Sequence, residues 1–398
     1  MRLSKKIQII FLPALVAALN IFIIIFPRES LAAARDGLNL WVVNVLPGVL
    51  PFVIGANLLM ALGAVNMLGA ALAPVMKSVF KVPGVGGFAL AIGLVSGYPV
   101  GAKVVAEMRQ NGDINRVQAQ RLAAFTNNAG PLFILGAVAG GLFGSIALGY
   151  FLLVAHYVGT LVVGILMRFY GRKYDADRDD EGEKQYPLHI RAYRSMAAVQ
   201  RKDGRGFGHI FGQAVANAVE TMLLIGGFIV LFSVISAILS LMGVYTALGG
   251  IFAPFFEFFG TDINDGFFAG LVEMTNGLGK ISQAGISRGT VTLAAAVLGF
   301  GGASIMFQSI NFLSKTDVKT MLYVACKAAH GIISAAFAAS FYPMFENMFV
   351  NEEAAAVYSH SIGVAARFAQ SAAFFGIIVA VLGILSLAII LKRKKIKM

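Results

Sequence analysis

Long apolar stretches, separated by short polar or charged segments, run through most of the chain. Eight of them are long enough to cross a hydrocarbon core of about 30 Å as helices. Two further apolar stretches, 84–102 and 265–284, are interrupted by glycine, proline or polar residues. The pattern predicts an all-α polytopic membrane protein with about eight transmembrane helices. These lie near residues 7–26, 40–62, 122–143, 146–167, 217–242, 289–312, 320–343 and 363–391.

The composition agrees with a membrane protein. Of 398 residues, 58% are apolar and 13% are charged, whereas a soluble protein has about 25% charged residues. The net charge of +12 comes mostly from loops and tails, so it indicates membrane topology and not nucleic-acid binding. The single cysteine, Cys326, excludes an intrachain disulfide and a cysteine-based metal cluster. The five histidines lack metal-ligand spacing, so no metal or cofactor is predicted.

The first apolar run, 7–26, follows three basic residues and has two interpretations. A small-residue site at 32–34 is compatible with a cleaved signal peptide. The apolar core is longer than a usual signal-peptide core, which favours a retained transmembrane helix.

The distribution of Lys and Arg predicts the orientation in the membrane. The N-terminus carries three basic residues, the 168–205 loop ten and the 392–397 tail five. The 345–361 loop is acidic and has no Lys or Arg. We therefore expect a multi-pass cell-membrane protein with both termini and the central loop in the cytoplasm.

A duplication is indicated by matching dipeptides at one constant offset. Leu68-Gly69 and Ala73-Pro74 recur as Leu248-Gly249 and Ala253-Pro254, each 180 residues later. The first copy enters the membrane from the outer side and the second enters it from the cytoplasmic side. The repeats are therefore expected to be inverted, as in secondary transporters. The predicted divisions are 1–37 (first helix and outer loop), 38–168 (repeat one), 169–216 (charged cytoplasmic loop), 217–343 (repeat two) and 344–398 (outer loop, last helix and basic tail).

The first interrupted stretch, 84–102, contains Ser96-Gly97-Tyr98-Pro99. Proline ends a helix and glycine permits unusual backbone angles, so this stretch predicts a re-entrant helical hairpin with its tip at 96–99. Lys81 and Lys103 flank it and favour the same side of the membrane. A single kinked transmembrane helix is the alternative.

The second interrupted stretch, 265–284, has Glu273 near its middle. A carboxylate at the centre of a membrane helix costs roughly 2.5–3.5 kcal/mol, so it needs a cation, a proton or a polar cavity. We interpret 265–284 as a second re-entrant hairpin with Glu273 as an ion-coupling group. The alternative is a surface helix with Glu273 in water.

Two apolar helices contain polar residues at corresponding places, around 125–134 and 299–308. Adjacent amides before Gly-Pro indicate an unwound turn whose backbone groups are free for a ligand. Ordinary hydrogen bonding between helices is the equal alternative. Together with the hairpin tips, these segments give the candidate substrate-binding residues Ser96, Gly97, Tyr98, Thr126, Asn127, Asn128, Glu273, Thr275, Asn276, Ser304 and Gln308.

Lys103 and Lys280 lie near the predicted hairpin ends and are candidates for attracting an anion, although such lysines more often anchor a helix at the interface. No Walker A motif and no coherent catalytic set occurs, so neither an ATP-driven pump nor an enzyme is predicted.

The segments 82–88, 96–103 and 125–134 resemble the YlbJ family of sporulation integral membrane proteins, also called stage V sporulation protein V. The likeness spans nearly the whole chain and is sharpest at the element Ser96-Gly97-Tyr98-Pro99-Val100-Gly101-Ala102-Lys103. More distantly, the family resembles nucleoside-recognition gate domains and the concentrative nucleoside transporters, which have inverted repeats with two re-entrant hairpins.

The resemblance implies export of dipicolinate, a small planar dianion, from the mother cell towards the forespore for cortex and core maturation. It implies a location in the mother-cell membrane surrounding the forespore. Proton or sodium coupling fits Glu273. One alternative is a nucleoside or nucleobase carrier, in which side-chain amides and Glu273 hold the ligand. Another is a non-transporting membrane scaffold for cortex assembly that acts through the 169–209 loop.

Overall fold

The computed structural model describes residues 2–63, 72–172, 193, 196–197, 201, 204–258 and 264–350. Regular structure within these ranges is helical, without a strand. The helices of the N-terminal half are α1 (Arg2–Ile25), α2 (Pro27–Leu40), α3 (Leu46–Ala61), α4 (Gly86–Ser96), α5 (Val100–Gln110), α6 (Arg116–Thr126), α7 (Phe133–Phe143, wound as a π-helix) and α8 (Ile146–Met167). Those of the C-terminal half are α9 (Phe207–Leu241), α10 (Val244–Ile251), α11 (Ala253–Phe258), α12 (Asn264–Val272), α13 (Met274–Ser282), α14 (Arg288–Phe300), α15 (Gly302–Leu313) and α16 (Thr320–Val350).

Four helical segments of the described chain are long and apolar enough to cross a membrane. A fifth crossing is added if Pro13–Ile25 and Pro27–Val43, which meet at a bend of 104°, form one broken span. The predicted all-helical membrane class is therefore confirmed. The count of eight and the inverted repeat stay predictions, and the span at 363–391 lies outside the described residues. The four segments are Ile146–Met167, Phe207–Leu241, Arg288–Leu313 and Thr320–Glu346.

The helix predicted at 40–62 begins earlier than its hydropathy indicates. The structure is helical from Pro27, the first residue of α2, and continues into α3 through a π-helical turn at Trp41–Val45. Proline is favoured at a helix start because the first turn needs no N–H partner there. Charged residues such as Arg35 and Asp36 lower the hydropathy of this part without opposing a helix, which explains the difference.

The first interrupted stretch folds back on itself. Gly93 in α4 and Gly101 in α5 face the same atom, the carbonyl oxygen of Thr126, and a Cβ at either position would collide with it. In one straight helix these glycines would lie about 12 Å apart. The helices α4 and α5 are therefore two arms of a hairpin whose turn is at Gly97–Pro99.

The second arm of this hairpin is longer than predicted. Helix α5 continues to Gln110, whereas the sequence pattern placed the end at 102. Lys103 and Glu107 lower the hydropathy of the arm, although the Lys103 side chain is buried within the protein. Lys103 consequently lies inside α5 and does not flank the hairpin.

The second interrupted stretch is also a hairpin. Helices α12 and α13 are separated by Glu273. A Cβ at Gly277 would lie 2.7 Å from the carbonyl oxygen of Gly266, although eleven residues of straight helix would separate these positions by about 16 Å. The missing side chains at these glycines allow the two arms to lie in backbone contact. The bounds match the predicted 265–284 closely.

Two predicted spans are each divided into two helices. Helix α6 ends at Thr126, and the chain is not helical at Asn127–Gly130 before α7. Helix α14 ends at Phe300, and Gly301 adopts φ 91°, a left-handed angle that favours glycine. Both breaks coincide with the polar residues that the sequence analysis singled out.

Helices α8, α14 and α16 pack closely behind these breaks. A Cβ at Gly299 of α14 would lie 2.7 Å from the Cα of Gly331 in α16, and one at Gly159 of α8 would collide with Ser334. Small residues allow such close approach between membrane helices. The packing brings the polar side chains of α8 and α16 together in the interior.

Candidate functional site

A cavity of about 670 Å³ lies where the two hairpin tips and the two helix breaks meet, and we call it the central cavity. Apolar side chains of α3, α7 and α9 complete its wall, including Val49, Phe133 and Ile225. Its size and mixed lining suit a small organic molecule. The predicted site residues that line it are Ser96, Gly97, Tyr98, Glu273, Thr275, Ser304 and Gln308.

The lining from the second half is polar and partly pre-organised. Gln308 donates a hydrogen bond from Nε2 to the Ser304 hydroxyl at 3.2 Å, one turn away on α15. Both side chains are buried within the protein and border the cavity. This pair presents amide and hydroxyl groups that can bind a polar ligand.

Glu273 occupies the tip of the second hairpin and is 2% exposed. Its Oε2 accepts a hydrogen bond from the Asn276 backbone N–H at 2.8 Å, so the carboxylate caps the start of α13. Unpaired N–H groups and the helix dipole stabilise a negative charge at this position. Asn276 itself donates from Nδ2 to the Ser233 hydroxyl at 3.3 Å and holds the tip against α9. It does not line the central cavity.

The predicted residues of the first break lie behind the cavity. The Thr126 hydroxyl donates to the Leu122 carbonyl at 2.9 Å. Asn127 donates from Nδ2 to the Ser309 hydroxyl at 2.8 Å and to the Tyr323 hydroxyl at 2.6 Å. These contacts hold the break in place, while the backbone of the same break, at Ala129 and Gly130, borders the cavity.

The two lysines predicted to attract an anion do not line the central cavity. Lys103 is buried in α5, where it donates to the Thr221 hydroxyl at 3.1 Å and lies 3.9 Å from a Glu107 oxygen. The Lys280 ammonium lies 5.6 Å from the centre of the Tyr245 ring. Both positive charges therefore have other partners, and their attraction of an anion stays a prediction.

The sequence analysis missed a third lysine, Lys327, which is fully buried in α16. Its ammonium makes three hydrogen bonds: to the Tyr98 hydroxyl at 2.9 Å, to the Asn127 carbonyl at 3.0 Å and to His330 Nδ1 at 2.8 Å. A lysine ammonium has three donors and no acceptor, so all three are used.

Two histidines extend this polar cluster. Because Lys327 can only donate, His330 accepts at Nδ1 and donates from Nε2 to the His156 carbonyl at 2.8 Å. His156 Nε2 accepts the Ala129 N–H at 3.0 Å, which leaves its buried Nδ1 without a protein partner. The Thr160 hydroxyl donates to Asn128 Oδ1 at 2.6 Å and links the cluster to the first break.

A signal for this cluster was present in the chain. Lys327 and His330 stand three residues apart, so they share one face of the apolar helix predicted at 320–343. Ionisable residues inside a membrane helix are expensive and are a pointer to function. The sequence analysis tested the histidines only for metal-ligand spacing and therefore overlooked their pairing with a lysine. In the described part of the chain, no group of three or more His, Cys, Asp and Glu is placed to hold a metal ion.

The chain has a curated relative across most of its length. It is 37% identical over 336 residues to the sporulation integral membrane protein YlbJ of Bacillus subtilis (strain 168). The aligned region covers 84% of this chain and 82% of the relative. No family model matches the sequence.

Proposed function

This chain belongs to the YlbJ family of sporulation integral membrane proteins, and on that premise we propose that it is a secondary transporter or facilitator of a small organic anion. It is an all-helical multi-pass membrane protein, and we place a carrier ahead of an enzyme or a scaffold. The observation that carries the proposal is the central cavity, where two hairpin tips and two broken helices converge. Transporter sites are built in this way, from discontinuous helices near the middle of the membrane.

Dipicolinate is the proposed substrate, exported from the mother cell towards the forespore. The family relationship supports it, since a relative is named for sporulation. Helix α5 begins beside the cavity, and the partial positive charge at a helix start favours an anion. The proposed location is the mother-cell membrane surrounding the forespore, with both termini in the cytoplasm.

Glu273 is the proposed coupling group. A carboxylate and a dianion repel one another in one small cavity, so Glu273 must bind a proton or a cation such as sodium when the substrate enters. Because Glu273 caps α13 at the hairpin tip, an ion bound to its carboxylate would lie beside the start of that helix. Transport of the anion would then follow the gradient of that ion.

A nucleoside or nucleobase is the second candidate substrate. Of the described residues that line the cavity, Glu273 is the one with a charged side chain, and Thr275, Ser304 and Gln308 offer neutral hydrogen-bonding groups. Such a lining suits a neutral polar ring. The predicted anion-attracting lysines lie elsewhere, which is the specific observation in favour of this alternative.

Uptake into proteoliposomes tests the proposal. Radiolabelled dipicolinate and uridine are compared with and without imposed proton and sodium gradients, with empty liposomes as the blank. We expect dipicolinate to accumulate and uridine to stay at the blank level. Accumulation of uridine alone would make a nucleoside, and not dipicolinate, the substrate. If the folded protein transports neither compound, the scaffold alternative is favoured.

A further inference from the structure

The central cavity lies between an acidic and a basic side chain. The carboxylate of Glu273 borders it directly from the second hairpin. On the side of the first hairpin, the border is the Tyr98 side chain, and the Lys327 ammonium lies immediately behind that ring. Nζ is 2.9 Å from the phenol oxygen and 4.8 Å from the ring centre, so one side chain separates this cation from the cavity.

Lys327 has no carboxylate partner among the described residues. Salt bridges among the described residues join Lys103 to Glu107 and Arg109 to Asp317, and neither involves Lys327. The groups recorded around Lys327 are a phenol, two imidazoles, a backbone carbonyl and a thiol, contributed by the first hairpin, the first break, α8 and α16. They are Tyr98, Asn127, His156, Cys326 and His330.

A buried charge is normally paired with an opposite one, because desolvation is costly. Hydrogen bonds orient the Lys327 ammonium but do not cancel its charge. In a medium of low dielectric constant its field reaches across the Tyr98 ring into the cavity. An anionic ligand there would supply the missing counter-charge.

The phenol of Tyr98 connects the cation to the cavity. Its oxygen accepts a hydrogen bond from Lys327 and its O–H donates to the Leu298 carbonyl at 3.0 Å. Hydrogen bonds in a chain polarise each other, so a phenol that accepts from an ammonium is a stronger donor than a free one. A ligand carboxylate in the cavity can compete with Leu298 for this donor.

We propose that the Lys327 ammonium, acting through the Tyr98 phenol, is the positive charge that makes the central cavity select an anion over a neutral ligand of the same shape. The ligand class is a small planar aromatic carboxylate. This inference deepens the proposed function and rests on it. Lys327 is a positioning and specificity residue, because Tyr98 makes the contact with the ligand.

A series of three pyridine ligands tests the proposal on the full chain purified in detergent. Pyridine-2,6-dicarboxylate, pyridine-2-carboxylate and pyridine-2,6-dicarboxamide carry two, one and no negative charges on the same ring. Equilibrium binding of each is measured by calorimetry at constant ionic strength. In the unchanged protein we expect the dissociation constant to rise about tenfold for each charge removed.

In the variant Lys327→Met, the dissociation constants of the dianion and the diamide should differ by about threefold or less. The matched control is Lys103→Met, which removes another buried lysine that already has Glu107 nearby; the full charge dependence should remain. Tyr98→Phe keeps the ring and removes the hydroxyl, and it should lower the preference for the dianion at least about threefold. This variant also tests the proposal if Lys327→Met does not fold.

Separate outcomes contradict the inference and the proposed function. Unchanged charge dependence in folded Lys327→Met, or in Tyr98→Phe, overturns the role of Lys327 while dipicolinate binding stands. An equal loss in Lys103→Met overturns it too, since the effect would then be one of net charge. Failure of the unchanged protein to bind any of the three ligands overturns the proposed substrate class and, with it, this inference.

Discussion

The two hairpins reach the central cavity with a similar backbone design and different chemistry. In the first, glycines of both arms lie against the Thr126 carbonyl, whereas in the second the arms touch each other at Gly277 and Gly266. Each hairpin turns at residues that border the cavity. The first presents Tyr98, whose hydroxyl is hydrogen-bonded to a buried ammonium at 2.9 Å. The second presents the Glu273 carboxylate at the start of α13.

This difference suits the two hairpin tips to ligands of opposite charge. A phenol backed by a cation favours an anion, whereas a carboxylate favours a proton or a metal cation. An anion and a coupling cation can therefore occupy one cavity at opposite tips. The comparison also explains why the site contains a carboxylate although the proposed substrate is a dianion.

The largest expected effect comes from adding one methyl group where a hairpin glycine lies directly against neighbouring backbone. Gly93→Ala and Gly277→Ala place a Cβ against backbone atoms, so each should destabilise the protein by ~1–3 kcal/mol or more. The matched control is Gly279→Ala, where a Cβ meets no atom within 4 Å. Chemical unfolding in detergent, followed by far-UV circular dichroism, measures the three variants. Equal stability of Gly277→Ala and Gly279→Ala would contradict the packing of the second hairpin.

The next effect separates coupling from binding at the second tip. Glu273→Gln keeps an oxygen that accepts the Asn276 N–H but cannot bind a proton or hold a cation by charge. We expect the accumulation of dipicolinate that an ion gradient drives to fall about tenfold or more. Exchange of dipicolinate across the membrane without an ion gradient should be retained. Both rates are measured in the same proteoliposomes. Accumulation at the unchanged level would assign coupling to another group.

A smaller effect is expected for stability at the first tip. Tyr98→Phe leaves the buried Lys327 ammonium one acceptor short, which should cost ~1–2 kcal/mol of unfolding free energy. Tyr150→Phe is the control, because Tyr150 is 48% exposed in α8, and a change within about 0.5 kcal/mol is expected there. The two variants are compared by unfolding in the same detergent. No difference between them would mean that Lys327 finds another acceptor at little cost.

The smallest effect concerns the far end of the first hairpin, where Arg109 of α5 pairs with Asp317 through two hydrogen bonds of 2.9 Å. The hydrogen bond from Arg109 holds the pKa of the Asp317 carboxyl below its ordinary value. A lowered folded-state pKa stabilises the protein above the unfolded-state pKa of about 3.9, and this stability is lost as the pH falls through the folded-state value. The side chains are 30% and 43% exposed, so the contribution is at most ~1 kcal/mol.

Unfolding at pH 7 and near pH 3 measures this contribution. The unchanged protein should lose more stability over that interval than Asp317→Asn, which has no carboxylate to protonate. An equal loss in both proteins would show that the pair does not link α5 to the chain before α16.

The places where helices are interrupted were predictable because the causes are local. Proline removes an N–H, glycine permits left-handed angles, and adjacent amides compete with the helix backbone. These effects mark the turn at Gly97–Pro99 and the breaks at Asn127–Gly130 and Gly301. They do not depend on which helices come to lie beside them. Hydropathy was less accurate about helix length, because buried polar side chains such as Lys103 look like interface residues in the sequence.

The partners of the buried charges were decided by tertiary packing. Tyr98 and Lys327 are 229 residues apart in the chain, and no local pattern joins them. They meet because the first hairpin packs on α14, where the Tyr98 hydroxyl donates to the Leu298 carbonyl, and because α14 and α16 approach closely at Gly299 and Gly331. The side chain alone determines which interactions a residue can make. Whether a lysine pairs with a carboxylate, as Lys103 does, or lies near a cavity without one depends on the neighbours that the fold provides.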